Sequence, residues 1–195
     1  MNKTREKILE AARRLFNKEG YFNVRMRAIA EEEGISVGNL TYHFKKKPEI
    51  LLALYQGMTG VFDARLAVAP SAEASLKHMQ KEIEHSMKVM LDYRFFWLET
   101  LYIIKSEAEI SEHFKTVYQQ RLKGMTLYLA RLVTAGELEA PKKPEDHQLL
   151  AQHMISFSNN WILECELSGK SASAESVKEK SQELLAYLSL YRRLS

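Results

Sequence analysis

The stretch from Arg25 to Lys47, RMRAIAEEEGISVGNLTYHFKKK, constrains this chain most, because 23 residues hold two short helical patterns, a turn signal and a basic-aromatic edge. Met26, Ile29 and Ala30 recur at i, i+3 and i+4 and make one short apolar face. Gly34 follows Glu33, where a glycine in the left-handed conformation ends a helix. Ser36 is placed to accept a hydrogen bond from the free backbone N–H groups of a following helix, which predicts a second helix from Val37 through Phe44. Two short helices joined by a glycine turn make a helix-turn-helix.

The second helix suits a DNA groove better than a core. Val37, Gly38 and Asn39 are short at the N-terminal end, where a recognition helix approaches base edges, and Asn39 can pair with adenine or bridge through water. Leu40 and Phe44, four apart, are the inward anchors. Thr41, Tyr42 and His43 offer hydroxyl and imidazole groups at the height of phosphates, and Lys45, Lys46 and Lys47 add positive charge without sequence preference. A lysine run by itself is more often solvated surface; the turn beside it favours DNA. The expected DNA-facing set is Arg25, Arg27, Val37, Gly38 and Asn39 toward base edges or the groove, Ser36 at the turn, and Thr41, Tyr42, His43, Lys45 and Lys47 on phosphates.

The order Gly20-Tyr21, Arg27-x-Ile29-Ala30, Gly34-Ile35-Ser36-x-Gly38-x-Leu40, Tyr42-x-Phe44-x-x-Lys47 and Glu49-Ile50-Leu51 resembles the DNA-binding domain of tetracycline-repressor-like (TetR) transcriptional regulators. The resemblance covers about the first 50 residues. Many relatives have threonine where Val24 stands and a phosphate-contacting tyrosine where Thr41 stands. Asn23 is placed to cap in the first case, and Tyr42 or His43 to reach phosphate in the second.

Composition agrees with a cytoplasmic two-part regulator. The chain has 195 residues, 46% hydrophobic and 27% charged, as in ordinary globular proteins. Residues 1–50 hold eleven Lys and Arg against seven Asp and Glu, a net of +4, leaving −1 of the overall +3 for the other 145. Positive potential is thus concentrated on the reader. The single cysteine, Cys165, excludes an intrachain disulfide framework and fits a reducing compartment. No segment approaches a membrane span, and the charged start MNKTREK leads into an amphipathic pattern, so no membrane partner is expected.

In chain order, Lys3 to Lys18 read as a first helix with Ile8, Leu9, Ala12, Leu15 and Phe16 on one face. Thr4 and Arg5 at its start read either as cap and solvated charge or as phosphate contacts. Pro48 opens a fourth helix, where Gly57 and Gly60 mark either a bend or close packing. Pro70-Ser71 is the clearest boundary, followed by helical segments at Ser71–Leu91, Arg94–Ser106, Ile110–Thr134, Glu145–Leu167 and Ala174–Leu194. The expected fold is all-α, a nine-helix architecture similar to that of the TetR family. Its division is a helix-turn-helix domain over 1–48, a connecting helix over 49–68, and a ligand-binding and dimerisation domain over 49–195.

Two constellations stand out in the body. Met87, Met90, Phe96, Trp97, Tyr102, Tyr118, Met125 and Trp161 belong to an aromatic, sulfur-rich set that reads as core residue by residue. The resemblance implies a pocket there for a small hydrophobic or amphipathic effector. His78, Glu82 and His85 share a helix face, but a zinc site needs further ligands that the sequence does not supply, and no metal or cofactor is expected. With no phosphate loop, nucleophile elbow or paired carboxylates, the chain is not expected to be an enzyme.

The stripes containing Met154, Phe157 and Trp161 and then Leu184, Leu188 and Tyr191 suit either an intrachain core or, as the resemblance implies, the four-helix interface of a homodimer. The whole reads as a ligand-responsive regulator, a repressor acting on a pseudo-palindromic double-stranded operator. Its rivals are a regulator controlled by a protein partner and a helical metal-dependent enzyme with a vestigial head. A bidentate base contact from Arg27 predicts that Arg27→Ala weakens operator binding by ~1–3 kcal/mol in a titration at fixed salt.

Overall fold

The computed structural model describes residues 3–66, 74–141, 143 and 145–189, with 63–66 and 189 described by backbone alone. Helix α1 (Lys3–Glu19) buries Ile8, Ala11, Ala12 and Phe16 at helical spacing. It stops at Gly20, whose φ of 84° is left-handed. Helix α2 (Met26–Glu33) ends at Gly34, φ 72°, where Ile35 N donates to Ala30 O at 2.9 Å. Asn23 does not cap α2: its amide donates to Glu19 O, and Arg25 stands at the N-terminus without a side-chain cap.

Helix α3 (Val37–His43) starts as expected, with Asn39 N donating to Ser36 Oγ at 3.1 Å. It stops one residue before the predicted end, and Phe44 turns extended. Helix α4 (Lys47–Leu66) follows after a tight connection in which Lys45 N donates to the Glu49 carboxylate. Ile8, Phe16, Ile29, Leu40, Phe44, Ile50 and Leu51, all nearly inaccessible, fill the space among these four helices.

The body consists of α5 (Leu76–Asp92), α6 (Arg94–Leu98), α7 (Thr100–Ser106), α8 (Ala108–Thr134), α9 (Asp146–Leu167) and α10 (Ala174–Ser189). Helix α8 packs on α9, α5 on α10, and α6 on α9. The all-α architecture is as read from sequence, with one difference: the single helix expected over 94–106 is divided at Glu99, giving ten helices among the described residues. The predicted Pro70-Ser71 boundary, the end of the connecting helix at 68 and the start of the next at Ser71 lie outside the described residues. Helix α5 has its N-cap at Ser75, whose Oγ accepts from His78 N at 3.1 Å.

One device caps α10 and a second joins it to α9. Ser173 and Ser176 cap reciprocally, each hydroxyl accepting the other's backbone N–H. Lys180 Nζ, nearly buried, reaches both Glu164 at 2.9 Å and Glu183 at 2.9 Å. Among the described residues no helix is long and apolar enough to cross a membrane.

Gly20 and Gly34 separate two kinds of constraint. At Gly34 a Cβ would meet nothing within 4 Å, whereas at Gly20 it would lie 2.8 Å from Glu99 Oε1. Gly34→Ala is expected to cost ~1–2 kcal/mol from left-handed strain alone. Gly20→Ala should cost more, and urea unfolding of the two variants measures the difference.

Candidate nucleic-acid interface and ligand cavity

Helix α3 is held from below and open above. Leu40 and Phe44 are buried, while Ser36, Val37, Gly38, Asn39, Thr41 and Tyr42 are exposed, Tyr42 to 83%. His43 is half-buried and packs edge-on against Tyr42, ring centres 5.2 Å apart. Thr41 Oγ1 donates back to the Val37 and Gly38 carbonyls at 3.0 Å each, leaving the hydroxyl oxygen able to accept. Arg25 and Lys45 are exposed beside this surface. Arg27 is exposed too, and its Nε donates to Glu31 at 2.8 Å, a bond that raises the guanidinium pKa. The Arg5 guanidinium lies 4.7 Å from the centre of the Phe44 ring, which ties the start of α1 to the end of α3.

Lys47 corrects the expectation of a phosphate contact. Its Nζ donates to Tyr21 O at 2.7 Å and Val24 O at 2.8 Å and sits 4.3 Å from the Tyr21 ring centre. Burial pulls its pKa below the usual lysine range, opposed by the carboxylates of Glu99 and Glu107. The ammonium therefore closes the α1–α2 connection from inside. Lys45 and Lys46 remain on the surface.

The head is fastened to the body along α1. Asn17 Nδ2 donates to Asp92 O at 2.8 Å, Arg94 Nε donates to Asn17 O at 2.9 Å, and Tyr21 N donates to Glu99 Oε2 at 2.6 Å. Phe16 meets Phe95 at 5.3 Å between ring centres. The Tyr21 phenol donates to Glu107, and burial, followed by Glu107 and Glu99, pushes its pKa far up.

In the body a cavity of about 630 Å³, partly open to the surface, runs between α5 and α8, reaching Phe62 of α4 and Ile155 and Ser158 of α9. That volume is within the range of sites for drug-sized molecules. Of the aromatic and sulfur-rich set, Met87, Met90 and Met125 line it. Phe96, Trp97 and Trp161 do not: they are buried in the core around α6 and α9, outside its lining. Tyr118 is half-buried and also outside the lining. Tyr102 is 68% exposed and meets Phe22 of the head, ring centres 6.3 Å apart. The physical reason is that α6 packs on α1 and α9, so its aromatics serve the joint.

The lining residues that the sequence did not single out include Met79, Ile83, Arg121 and Arg131. Their signal was the inward spacing of α5 and a charged residue, Arg121, four before Met125 and seven before Tyr128. His78 and Glu82 line the cavity, whereas His85 does not. Among the described residues no three His, Cys, Asp or Glu side chains come together as a metal set.

The expected dimer residues also need correction. Met154, Trp161, Leu184 and Leu188 are buried in the subunit's own core, Phe157 is half-buried, and Tyr191 lies outside the described residues. The opposite stripe of α9, Leu149, His153, Ser156, Asn160, Leu163 and Leu167, is the exposed one.

A helix-turn-helix head fastened to an all-helical body with a cavity between its helices defines a class of DNA-binding transcriptional regulators. A sequence model described as bacterial regulatory proteins, tetR family, matches residues 8–54, and one described as a bacterial transcriptional repressor, TetR, matches residues 60–192. The chain belongs to the TetR family of transcriptional regulators. It is 30% identical over 145 residues to the HTH-type transcriptional regulator TtgR of Pseudomonas putida, covering 69% of this chain and 68% of TtgR. Its fold is similar to that of a TetR-family regulator from Marinobacter aquaeolei VT8, with a TM-score of 0.90 at 24% identity over 99% of this chain and 93% of that one. It is also similar to SmeT, the repressor of the Stenotrophomonas maltophilia multidrug efflux pump SmeDEF. SmeT in its triclosan complex gives a TM-score of 0.70 at 18% identity over 100% of this chain and 94% of that one.

The two kinds of lysine give opposite expectations. Lys47→Met should lower the unfolding free energy by ~1.5–3 kcal/mol, as for hydrogen bonds to a charged group, and leave the salt dependence of DNA binding unchanged. Lys45→Ala should leave stability unchanged and lower the slope of log K against log salt by ~0.9. Chemical denaturation and a salt titration measure the two effects.

Proposed function

We propose that this regulator binds a pseudo-palindromic operator as a homodimer, acts as a repressor, and is released when a small hydrophobic or amphipathic molecule enters the cavity between α5 and α8. The observation that carries the reading is the path of α4. Ile50 and Leu51 are buried among the helices of the head, and Phe62 of the same helix lines the cavity. A helix rises ~1.5 Å per residue, so α4 spans ~18 Å between Ile50 and Phe62 and links both places in one rigid element. The presence of triclosan in a complex of SmeT supports a small-molecule occupant for this fold. A 630 Å³ cavity weighs against control by a protein partner alone.

The exposed surface of α3 supports Val37, Gly38 and Asn39 as the groove-facing residues and Thr41, Tyr42 and Lys45 as phosphate contacts. Arg25 and Arg27 flank them, Arg27 exchanging Glu31 for DNA. One short reader contacts few bases, so specificity requires two readers about one helical turn, ~34 Å, apart. Leu149, Leu163 and Leu167 of α9, with Tyr187 of α10, supply the exposed apolar surface for that pairing. The effector acts only through unequal affinity for the two dimer shapes.

Genome-fragment selection at a stated salt concentration, followed by footprinting, tests the reading. A protected pseudo-palindrome, lost in the Asn39→Ala, Tyr42→Ala double variant, is the expected result. Leu163→Glu should yield monomers in sedimentation and lose the footprint while keeping its fold. Retention of no fragment above background by the wild-type dimer would count against the proposal.

A further inference from the structure

The cavity wall is mostly apolar, yet α8 brings two guanidinium groups to it, those of Arg121 and Arg131. Arg121 Nη1 donates to Asn159 Oδ1 at 3.0 Å, and this neutral acceptor is its hydrogen-bond partner among the described residues. Among those residues no carboxylate lies within ion-pair distance of it, whereas Arg13, Arg14 and Arg27 each have one. A guanidinium carries five N–H donors and stays protonated in proteins. Arg121 is half-buried, and burial pushes its pKa down, opposed by Tyr118 and by no carboxylate. A charge drawn partly away from water is ordinarily paired. The position therefore suits an anion supplied from outside the described part of the chain.

The rest of the lining narrows what that anion is. Arg131 lies 5.7 Å from the centre of the Tyr128 ring, and both it and Glu82 have further interactions within the chain. Tyr128 donates to Ser75 O at 3.2 Å. A dianionic phosphate would bring a second negative charge into a cavity that already holds the Glu82 carboxylate. A planar carboxylate matches the guanidinium fork with a single charge. We infer that the effector is an amphipathic monocarboxylate, its carboxylate seated on Arg121 beside Asn159 and its apolar part against Met79, Ile83, Met87 and Ile155. This deepens the effector reading above and rests on it.

The test uses the full chain and three probes that share a ten-carbon tail: decanoate, decanol and decyltrimethylammonium. Each is titrated calorimetrically below its micellar concentration. Decanoate should bind about tenfold or more tightly than either of the others, equivalent to ~1.4 kcal/mol. R121Q should bring decanoate to the affinity of decanol and leave decanol unchanged, which shows at the same time that the cavity is intact. R121K should keep part of the preference. Equal binding of decanoate and decanol by the wild type, tightest binding of the cation, or a preference that survives R121Q overturns the carboxylate assignment while leaving the cavity as an effector site. Failure of all three probes to bind overturns both.

Discussion

The carboxylate of Glu99 holds the two halves of the molecule in register. It accepts the Tyr21 N–H at 2.6 Å, beside a glycine whose left-handed turn leaves no room for a side chain. The same residue stands at the break between α6 and α7, so a helix interruption in the body is also the receiving point for the head. Lys47 completes the arrangement from the head side. Its ammonium binds the carbonyls of Tyr21 and Val24 and is drawn electrostatically to Glu99 and Glu107. Two carboxylates, one ammonium and a phenol thus meet at a single junction, where separation would leave partly buried charges without partners.

The cavity is linked to that junction by more than α4. Met90, which lines the cavity, lies four residues before Arg94, across the break between α5 and α6, and the Arg94 guanidinium holds the carbonyl of Asn17 near the end of α1. Asn17 in turn receives the N–H of Phe95 on its side-chain oxygen. In the proposed ligand response, a change in the spacing of α5 and α8 reaches the head through α4 and also through the α5–α6 corner. The two routes converge on α1, which packs on α2, α4 and α6.

The head was legible because its signals are local. Gly34 and Ser36 act through the backbone conformations and hydrogen bonds of their own neighbours, and both mark the helix boundaries they were expected to mark. What depended on tertiary contact was not. Lys45, Lys46 and Lys47 are alike in sequence, and only the position of the α1–α2 connection separates the half-buried one from the others. The break at Glu99 carries no glycine or proline. An apolar stripe on α9 does not say whether its partner belongs to the same subunit, and Met154 and Trp161 proved to face inward. Aromatic residues attract a pocket reading wherever they cluster, but Phe95 and Phe96 consolidate the head–body joint and the core. Of the cavity's polar residues, His78 and Glu82 stood out by their shared helix face, whereas Arg121 was only a charge among the residues of a long helix.

The Lys180 clamp has a mechanical consequence. By bonding Glu164 of α9 while Glu183 of its own helix steadies it, Lys180 ties these two helices into one plate through a single crossing contact. Burial alone would lower the lysine pKa, but the two carboxylates outweigh it and hold the charge in place. In a dimer assembled on the exposed face of α9, two such plates would form the least compliant part of the particle. Strain introduced at the cavity would then be relieved at the opposite side of the body, by rotation of the heads about an anvil that does not yield.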